Sequence, residues 1–396
     1  MFENKSIIIG VSGGIAAYKT AYLVSALSKT AADVNVIMTK NACEFISPLV
    51  FETLTGNKCY VDTFDRNFNF DVEHISLAKK ADVFLVAPAT ANVIAKIANG
   101  IADDMLTTTF LASKCKKIIS PAMNTAMFEN QITQNNIAKL KEYGIDVIEP
   151  QSGILACGDT GAGKMPEPGY LFDVIEREIA REKDMLGKKV LVTAGATMEA
   201  LDPVRFLTNH SSGKMGFAIA KEAMLRGAEV TVVKANTTAE IPNFVNIVEV
   251  SSAGDMFDAV TAVSDKQDII VKAAAVADYT PESYVDSKIK KKDGDLSIAL
   301  KRTKDILKYL GENKKEGQFI CGFSMETDNM LENSKIKLSK KNADMIVANN
   351  LKDVGSGFKI DTNAVTLITK DGHKSLELKS KADVAKEIFD EILSLI

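Results

Sequence analysis

Two segments of this chain, almost half its length apart, begin with the same succession of residue types. Residues 5–19 read KSIIIGVSGGIAAYK, and residues 188–216 begin KKVLVTAGATMEALDPVRF. In each, a short apolar run leads to a glycine-containing turn and then to a helical pattern. Glycine lets a backbone approach a phosphate closely, and a helix N-terminus presents unpaired N–H groups and a positive dipole end. Two such openings predict two α/β domains, each with its own binding site.

The composition is that of an ordinary globular protein with no strong charge bias. A length of 396 residues suggests two or three domains, and 46% hydrophobic with 25% charged residues is typical of soluble chains. A net charge of −4 argues against a dedicated nucleic-acid binder. Five scattered cysteines without C-x-x-C argue against structural zinc and a disulfide framework. Because no apolar run suits a signal peptide or membrane span, we expect a cytoplasmic protein.

The first half of the chain alternates apolar runs with helical patterns. Continuous apolar strands separated by helices are typical of a parallel sheet covered on both faces. Helices are predicted over residues 16–28 and 126–143, the second ended by Gly144. The predicted strands are residues 6–11, 34–39, 83–87, 117–120 and 146–148.

Residues 151–169 interrupt this alternation. The segment QSGILACGDTGAGKMPEPG is too rich in glycine for a regular element and too long for a passive turn, so we interpret it as a mobile flap. A charged helical stretch over residues 170–185 then leads to Gly187. We therefore predict one domain over residues 1–187 and a second over residues 188–396.

The second half restarts an α/β pattern. A strand is predicted over residues 190–194 and a helix over residues 213–226. Near the end, AVTLITKDGHKSLEL predicts an antiparallel β-hairpin that turns at Asp371 and Gly372, and a final helix follows over residues 381–395. Further strands are predicted over residues 229–234, 246–250, 268–273, 318–323 and 345–348.

Small and polar residues follow the predicted strands of the first half. In SGGIAAYK, Ser12 and the following amides could hold a phosphate, but the turn matches neither G-x-x-x-x-G-K-[ST] nor a complete G-x-G-x-x-G. In PATANVIAKIANGIADD, Thr90 and Asn92 lie where open α/β sheets bind ligands, and they could bond a ring edge or a ribityl chain. A turn without a ligand and a helix cap are the alternative interpretations.

Three further side chains of the first half could do chemistry. Asn124, in PAMN, suits a carboxylate or amide of a substrate, or it caps the next helix. His74 lies at a predicted helix start beside Glu73, where it could act as a general base, although a lone histidine is more often structural. Cys157 is flanked by small residues within the flap, and a closing flap can exclude water and deliver one reactive group. An incidental thiol is the alternative.

These motifs together resemble the FMN-dependent phosphopantothenoylcysteine decarboxylase family, among the homo-oligomeric flavin-containing Cys decarboxylases. The resemblance covers residues 1 to about 184. It implies that FMN oxidises the substrate thiol toward a thioaldehyde, that the adjacent carboxylate then leaves, and that reduced flavin returns hydride to the enethiol. It further implies that His74 is a base or positioning group, that Asn124 holds the carboxylate and that Cys157 donates a proton. Lys164 stands where the family usually has Arg. Lys keeps the positive charge but cannot make the bidentate contacts of a guanidinium. The FMN-binding residues it implies are Ser12, Gly13, Gly14, Ile15, Thr39, Thr90 and Asn92.

The second half has its own polar segments. In DPVRFLTNHSSGKMG, the two serines and the amides near Gly213 could cradle an anion, and Asn209 could orient a carboxylate; a long capping loop is the alternative. In KAAAVADYTPESYVDSKIKKKDGD, a buried strand leads to Asp278 and then to a lysine-rich loop that either clamps a triphosphate or is a solvated charge run. Lys337 and Lys341 share one helix face.

These segments resemble phosphopantothenate–cysteine ligase in its bacterial, CTP-using form, from about residue 188 to the end. The resemblance implies that the carboxylate of 4′-phosphopantothenate attacks the α-phosphate of CTP, and that the amine of cysteine then displaces CMP from the acyl cytidylate. It implies that Asn209 supports the acyl cytidylate and that Mg²⁺ is held mainly by phosphate oxygens and water. Lys304 stands where the family often has Pro. The residues it places around CTP are Ala273, Ala274, Ala275, Asp278, Lys288, Thr303, Lys304, Asp305, Ile306, Phe323, Lys337 and Lys341.

Both halves, in this order, resemble the family of bifunctional coenzyme A biosynthesis proteins, in which the ligase product, phosphopantothenoylcysteine, is the decarboxylase substrate. The resemblance implies two Rossmann-like α/β domains, the first with a flavodoxin-like parallel sheet and the second with an antiparallel hairpin extension. It also implies a homo-oligomer of flavin-domain trimers and ligase-domain dimers, up to a dodecamer, without nucleic-acid or membrane partners. Two alternatives stay open: a flavoprotein oxidoreductase or prenyl-flavin-type transferase fused to a dinucleotide-binding domain, and a non-enzymatic subunit that binds a phosphatase.

Overall fold

The chain, seen as a computed structural model, divides into two compact units, Met1–Arg181 and Glu182–Ile396. The structure describes residues 2–64, 72–154, 158, 160–290, 296–326, 329–350, 357 and 360–396. Each unit has its own sheet and its own core, and each is described separately below.

The N-terminal unit consists of a parallel sheet with helices between its strands. Its strands are β1 (Ser6–Val11), β2 (Asp33–Met38), β3 (Cys59–Tyr60), β4 (Val83–Ala89), β5 (Lys116–Pro121), β6 (Asp146–Val147), β7 (Gln151–Ile154) and β8 (Thr160–Lys164). Its α-helices are α1 (Ala17–Leu27), α2 (Pro48–Thr55), α3 (Glu73–Lys80), α4 (Ala91–Ala98), α5 (Met105–Ala112), α6 (Thr125–Glu129), α7 (Gln131–Glu142) and α8 (Pro168–Ile179), with a 3₁₀ helix at Lys40–Glu44.

Six of these strands form the sheet in the order β3-β2-β1-β4-β5-β6, and all neighbours pair in parallel. The central strands are apolar without alternation because helices cover both faces: Ile7, Ile8 and Ile9 are fully buried. The order reverses between β1 and β4, and ligands of open α/β sheets bind at such a switch point. The predicted Rossmann-like parallel fold is confirmed.

Three local predictions for this unit were wrong. The glycine-rich flap contains a regular element, since β7 and β8 pair as an antiparallel hairpin with a register irregularity near Gln151. Gly161 and Gly163 leave room for the hairpin to pack closely on the residues after β5. The predicted helix over residues 126–143 is two helices, because the Asn130 side chain accepts a hydrogen bond from the amide of Ile132 and begins a new helix. The helix predicted to reach residue 185 ends at Ile179.

The C-terminal unit has a larger mixed sheet. Its strands are β9 (Lys189–Ala194), β10 (Met198–Ala200), β11 (Phe206–Thr208), β12 (Glu229–Lys234), β13 (Asn246–Glu249), β14 (Ile269–Lys272), β15 (Tyr279–Pro281), β16 (Leu300–Arg302), β17 (Phe319–Glu326), β18 (Met345–Asn350), β19 (Thr362–Asn363), β20 (Val365–Thr369), β21 (His373–Ser375) and β22 (Lys379–Ser380). Its α-helices are α9 (Lys214–Leu225), α10 (Ala253–Val263), α11 (Ile306–Glu312), α12 (Met330–Lys340) and α13 (Lys381–Leu395), with a 3₁₀ helix at Ser264–Lys266.

The main sheet of this unit has the order β13-β12-β9-β14-β17-β18-β20-β21. The first six strands are parallel, while β20 and β21 form the predicted antiparallel hairpin at one edge. The order reverses between β9 and β14, just as it does between β1 and β4 in the other unit. Each unit therefore has one switch point at the carboxyl ends of its two central parallel strands. The short pairs β10-β11, β15-β16 and β19-β22 were not predicted.

A buried charge network supports the C-terminal unit. Arg226, which follows α9 and is 4% exposed, donates to Glu222 at 3.0 Å and to Asp184 at 3.2 Å, and it also contacts Asp390 of α13. Burial opposes the charge of the guanidinium, but its hydrogen bonds to Asp390 and Glu222 outweigh this effect and raise its pKa. The network therefore joins α9, α13 and the segment that precedes β9.

Replacing Arg226 with Met is expected to destabilise this unit by about 3–5 kcal/mol. Glu222, only 3% exposed, would remain buried without the guanidinium that now forms an ion pair with it. Calorimetry of the full chain should show the affected melting transition roughly 10 °C lower. Lys386→Met is the matched control, since Lys386 pairs with the same Asp390 at the surface, at 2.6 Å, and exposed pairs contribute little. Equal shifts for the two variants would contradict this account.

Candidate functional site

The first candidate site lies at the switch point between β1 and β4. The Ser12 hydroxyl, fully buried, donates to the carbonyl of Pro88 at 2.7 Å and accepts from the amide of Thr90 at 3.0 Å. These bonds tie the loop after β1 to the loop after β4. The Ser12 side chain is thus occupied in holding the two loops together, and an anion bound here would be contacted by the backbone amides that follow Ser12.

Glycine is required at two positions around this site. A Cβ on Gly13 would lie 2.6 Å from the Cβ and 2.9 Å from the carbonyl carbon of Asn41, so the loop after β1 packs against the loop after β2 without room for a side chain. Gly163 of β8 has a φ of +133°, and a Cβ there would lie 2.2 Å from the carbonyl oxygen of Met123. The β7-β8 hairpin therefore packs directly on the backbone after β5.

A cavity of about 540 Å³ opens between these loops, which is within the usual size range for small-molecule sites. Predicted site residues that line it are Gly13, Gly14, Ile15, Thr90 and Asn124, and Lys164 of the hairpin lines it too. The Asn124 oxygen also accepts from the amide of Ala126 at 2.8 Å, so Asn124 is a helix cap as well as a lining residue.

One lining residue that the sequence did not suggest is Lys19. Its ammonium donates to Glu167 at 2.8 Å and to the carbonyl of Met165 at 3.3 Å, although only 8% of the residue is exposed. The hydrogen bond from Lys19 lowers the pKa of Glu167. Lys164 lies 3.4 Å from the same carboxylate. The only signal in the sequence is that Lys19 follows Ile15 by one helical turn, on the first helix after the glycine turn.

Other predicted residues of this half lie outside the cavity lining. Thr39 caps the 3₁₀ helix after β2 by accepting from the amide of Ala42 at 3.2 Å, and Asn92 is exposed on α4. His74 is the second residue of α3 and does not line this cavity. Cys157 lies outside the residues that the structure describes.

The second candidate site lies at the switch point between β9 and β14. Its cavity, of about 280 Å³, is lined by the predicted residues Asn209, Ala273, Ala274, Ala275, Asp278, Phe323 and Lys337. The amide of Ala274 donates to the Thr193 hydroxyl at 3.0 Å, and the Asn209 amide group donates to the carbonyl of Ala275 at 3.3 Å. These bonds fix the backbone that follows β14 and hold Asn209 beside it.

The start of α9 also lines this cavity. Gly213 precedes the helix with a φ of +84°, and a Cβ there would lie 2.7 Å from the Cγ2 of Thr237. Ser211, Ser212, Lys214 and Met215 line the cavity beside it. The arrangement presents small polar groups and a helix N-terminus to the cavity, which suits an anion.

The cavity is lined by several lysines, of which the sequence suggested only Lys337. The other three are Lys214, Lys272 and Lys381. Burial, and next the nearby charge of Lys337, lowers the pKa of Lys272 to about 8. Lys381 also has a lowered pKa because of burial. The four lysines therefore place positive charge in the same cavity as the N-terminus of α9, which itself favours an anion.

Five of the residues predicted to surround CTP do not line this cavity. The Thr303 hydroxyl donates to the carbonyl of Ala277 at 2.7 Å, and Asp305 caps α11 by accepting from the amide of Lys308 at 2.9 Å. Lys341 forms an ion pair with Asp305. The side chain of Ile306 is buried in the hydrophobic core, so only its backbone could reach a ligand. Lys304 is exposed and lies over the ring of Phe257, 4.6 Å from its centroid.

Lys288 is exposed and does not line the cavity, but its neighbour is firmly held. The Asp202 carboxylate accepts from the amide of Ile289 at 3.0 Å and from the amide of Arg205 at 2.8 Å. The Arg205 guanidinium donates to the carbonyl of Ile289. The hydrogen bond from the Ile289 amide is the main cause of the lowered pKa of Asp202, which stays ionised at neutral pH. Asp202 and Arg205 thus clamp both backbone groups of Ile289 and fix the base of the lysine loop. Lys291 and Lys292 of that loop lie outside the described residues.

Within the described residues, no group of three or more His, Cys, Asp or Glu side chains is arranged to bind a metal ion. In the same part of the chain, no helix has the length and apolar character to cross a bilayer.

The fold and the two cavities define a class of protein: a two-unit α/β protein with a candidate ligand site at the switch point of each sheet. Comparison with known families agrees with this division. Residues 1–180 match the family model Flavoprotein, and residues 185–395 match the model DNA/pantothenate metabolism flavoprotein C-terminal domain.

Full-length relatives identify the family. The chain is 48% identical to the Coenzyme A biosynthesis bifunctional protein CoaBC of Bacillus subtilis (strain 168), over 100% of this chain and 98% of the relative. It is 42% identical to the protein of the same name from Haemophilus influenzae, over 99% and 98% of the two chains. The chain belongs to the family of bifunctional coenzyme A biosynthesis proteins and is an enzyme. The proposed phosphatase-binding, non-enzymatic alternative is not supported.

A solved structure is also similar. The crystal structure of the C-terminal domain of Coenzyme A biosynthesis bifunctional protein CoaBC is 44% identical in sequence and covers 53% of this chain and 96% of that one, with a TM-score of 0.46.

Proposed function

We propose that this enzyme catalyses two successive steps of coenzyme A biosynthesis, one in each unit. The C-terminal unit joins cysteine to 4′-phosphopantothenate with CTP, and the N-terminal unit decarboxylates the resulting phosphopantothenoylcysteine to 4′-phosphopantetheine with FMN. The observation that carries the proposal is that each sheet has a separate cavity, lined by the chemistry that its reaction needs, in a chain similar over its full length to bifunctional relatives.

The first cavity suits FMN. The close packing of Gly13 on Asn41 fixes the loop before α1, and the backbone amides of this loop would hold a phosphate. Thr90 of the cavity lining, Thr39 after β2 and Asn92 of α4 would contact the rest of the cofactor. Bound FMN would supply the redox chemistry of the reaction, as an acceptor of two electrons from the substrate thiol and a donor of two electrons after loss of carbon dioxide.

The protein side chains position the substrate around that chemistry. Asn124, at the start of α6, holds the departing carboxylate, and Lys19 and Lys164 keep this end of the cavity positive. Cys157, next to the β7-β8 hairpin in sequence, donates the final proton. His74 acts as a base or positioning group, and because it does not line the cavity of its own chain, we propose that a second copy in a homo-oligomer completes the site.

The second cavity suits a nucleotide triphosphate and a carboxylate. The start of α9, with Ser211 and Ser212, and the surrounding lysines favour the phosphates, while Asn209 supports the acyl cytidylate. Lys288, fixed through its neighbour Ile289, neutralises the phosphates as pyrophosphate leaves. Mg²⁺ would be held mainly by the phosphate oxygens of CTP and by water, which needs no cluster of protein carboxylates. Both reactions draw on metabolites of the cytoplasm, where we place the enzyme.

Replacing Cys157 with Ser tests the decarboxylase half. We expect the variant to release carbon dioxide from phosphopantothenoylcysteine but to form little 4′-phosphopantetheine, because the final protonation needs the more acidic thiol. The product, followed by mass spectrometry, should be the enethiol, which has two hydrogen atoms fewer. Cys115→Ser is the control, since Cys115 does not line the cavity and is a free cysteine. Normal amounts of 4′-phosphopantetheine from the Cys157 variant would refute this role.

A further inference from the structure

Lys272 is the last residue of β14, and its side chain lines the second cavity. The other three lining lysines have partners: Lys214 pairs with Asp361 at 2.6 Å, Lys337 donates to the carbonyl of Phe323 at 2.9 Å, and Lys381 donates to the carbonyl of Gly357 at 3.0 Å. Among the residues that the structure describes, the Lys272 ammonium has neither a hydrogen bond nor an ion pair. A partly buried ammonium of this kind has lost part of its hydration without gaining a hydrogen bond or an ion pair in return.

The charges around Lys272 come from three elements. Lys337 of α12 and Lys341, which follows α12, repel its charge, whereas Asp305 before α11 and Asp278 after β14 attract it. Asp305 is already paired with Lys341 and accepts a hydrogen bond from the amide of Lys308. Its negative charge therefore compensates the charge of Lys272 only in part. Repulsion between Lys272 and Lys337 therefore stays incompletely balanced in the protein alone, and an anion between them would remove it.

We propose that Lys272, together with Lys337, binds a phosphate group of the nucleotide in this cavity. Lys272 then adds a positive charge, which the sequence did not predict, to that of Lys337. This inference rests on the proposed function, because the nucleotide is the one used for ligation. Charge-assisted hydrogen bonds from two ammonium groups to one phosphate are among the stronger polar contacts in proteins.

A consequence is that nucleotide binding depends on pH. In the free protein the pKa of Lys272 is about 8, and a bound phosphate raises it. A group whose pKa rises on binding makes its full contribution to affinity at pH values below its pKa in the free protein. As pH increases above that value and through the pKa of the bound state, the contribution is lost. Affinity should therefore fall by roughly tenfold between pH 7.5 and 9, with about half a proton taken up per nucleotide at pH 8.

Isothermal titration calorimetry of the full chain with CTP, and separately with pyrophosphate, tests the proposal. Titration in two buffers of different ionisation enthalpy at pH 8 gives the number of protons taken up. Lys272→Met should bind both ligands about tenfold more weakly at pH 7.5, with no proton uptake and a flat pH dependence. Lys272→Arg should retain most of the affinity, also without uptake, because a guanidinium stays charged. Lys340→Met, an exposed position on α12, should behave as the wild type.

Unchanged affinity of Lys272→Met, or proton uptake that persists in that variant, would overturn the role of Lys272 while leaving the ligase proposal intact, provided that the wild type releases pyrophosphate from CTP. A wild type that binds neither ligand between pH 7.5 and 9 would overturn both proposals. Weakened binding of CTP with unchanged binding of pyrophosphate would also contradict the assignment, since it would place Lys272 away from the phosphates that pyrophosphate contains.

Discussion

Lys288→Gln should lower the rate of ligation at least about 100-fold, the loss seen when one preorganised group that stabilises transition-state charge is removed. Lys288 is exposed, but the clamp of Asp202 and Arg205 on Ile289 fixes the backbone next to it. The backbone from which its side chain extends is therefore held in place. The measurement is pyrophosphate release from CTP with 4′-phosphopantothenate, before cysteine is added.

Lys290→Gln is the matched control for this prediction, because Lys290 is an exposed lysine on the other side of the same clamped residue. It should retain most of the ligase activity. Decarboxylation of supplied phosphopantothenoylcysteine should be unaffected in both variants. If Lys288→Gln lost both activities, the two sites would not be independent, and if both lysine variants lost ligation equally, the loop would act only through its total charge.

Gly13→Ala should yield a protein with at least about tenfold less bound FMN, because the added Cβ would lie 2.6 Å from the Asn41 Cβ and 2.9 Å from its backbone. Relief requires the loop after β1 to move, and with it the amides that would hold the phosphate. Flavin released on denaturation, measured by absorbance against protein concentration, gives the bound fraction.

Gly14→Ala is the control for this second prediction. The nearest atom to a Cβ at Gly14 is the Thr90 Cγ2 at 3.7 Å, an ordinary contact, so this variant should keep its flavin. Ligase activity should be unchanged in both variants, because both glycines lie in the other unit. Full FMN content in Gly13→Ala, or equal loss in both variants, would show that the close packing on Asn41 does not shape the flavin site.

Much of the fold follows from the order of apolar runs. The uninterrupted apolar character of Ile7, Ile8 and Ile9 predicts a strand buried on both faces, and the alternation with helices predicts parallel pairing. The hairpin at Asp371 and Gly372 follows from its turn chemistry. The β7-β8 hairpin could not be predicted in this way, because its strands are held by packing on Met123 and Thr125 rather than by their own propensity.

The sites were predictable to a similar degree. Strand ends are visible in the sequence, and so the residues after β1, β4, β5, β9 and β14 could be assigned to two ligand sites. Lys19 and Lys272 were not found, since each belongs to a regular helix or strand and becomes part of a site only through the packing of distant segments. The clamp on Ile289 could not be predicted either, because Asp202 and Ile289 are 87 positions apart in the sequence.

The most direct test of the account is a single incubation of the purified protein with 4′-phosphopantothenate, cysteine and CTP. We expect a protein with a flavin spectrum, and pyrophosphate, CMP and carbon dioxide formed in equal amounts as 4′-phosphopantetheine appears without an added reductant. A protein that takes up no flavin, releases no pyrophosphate or needs NAD(P)H for turnover would contradict the proposal of two coupled sites.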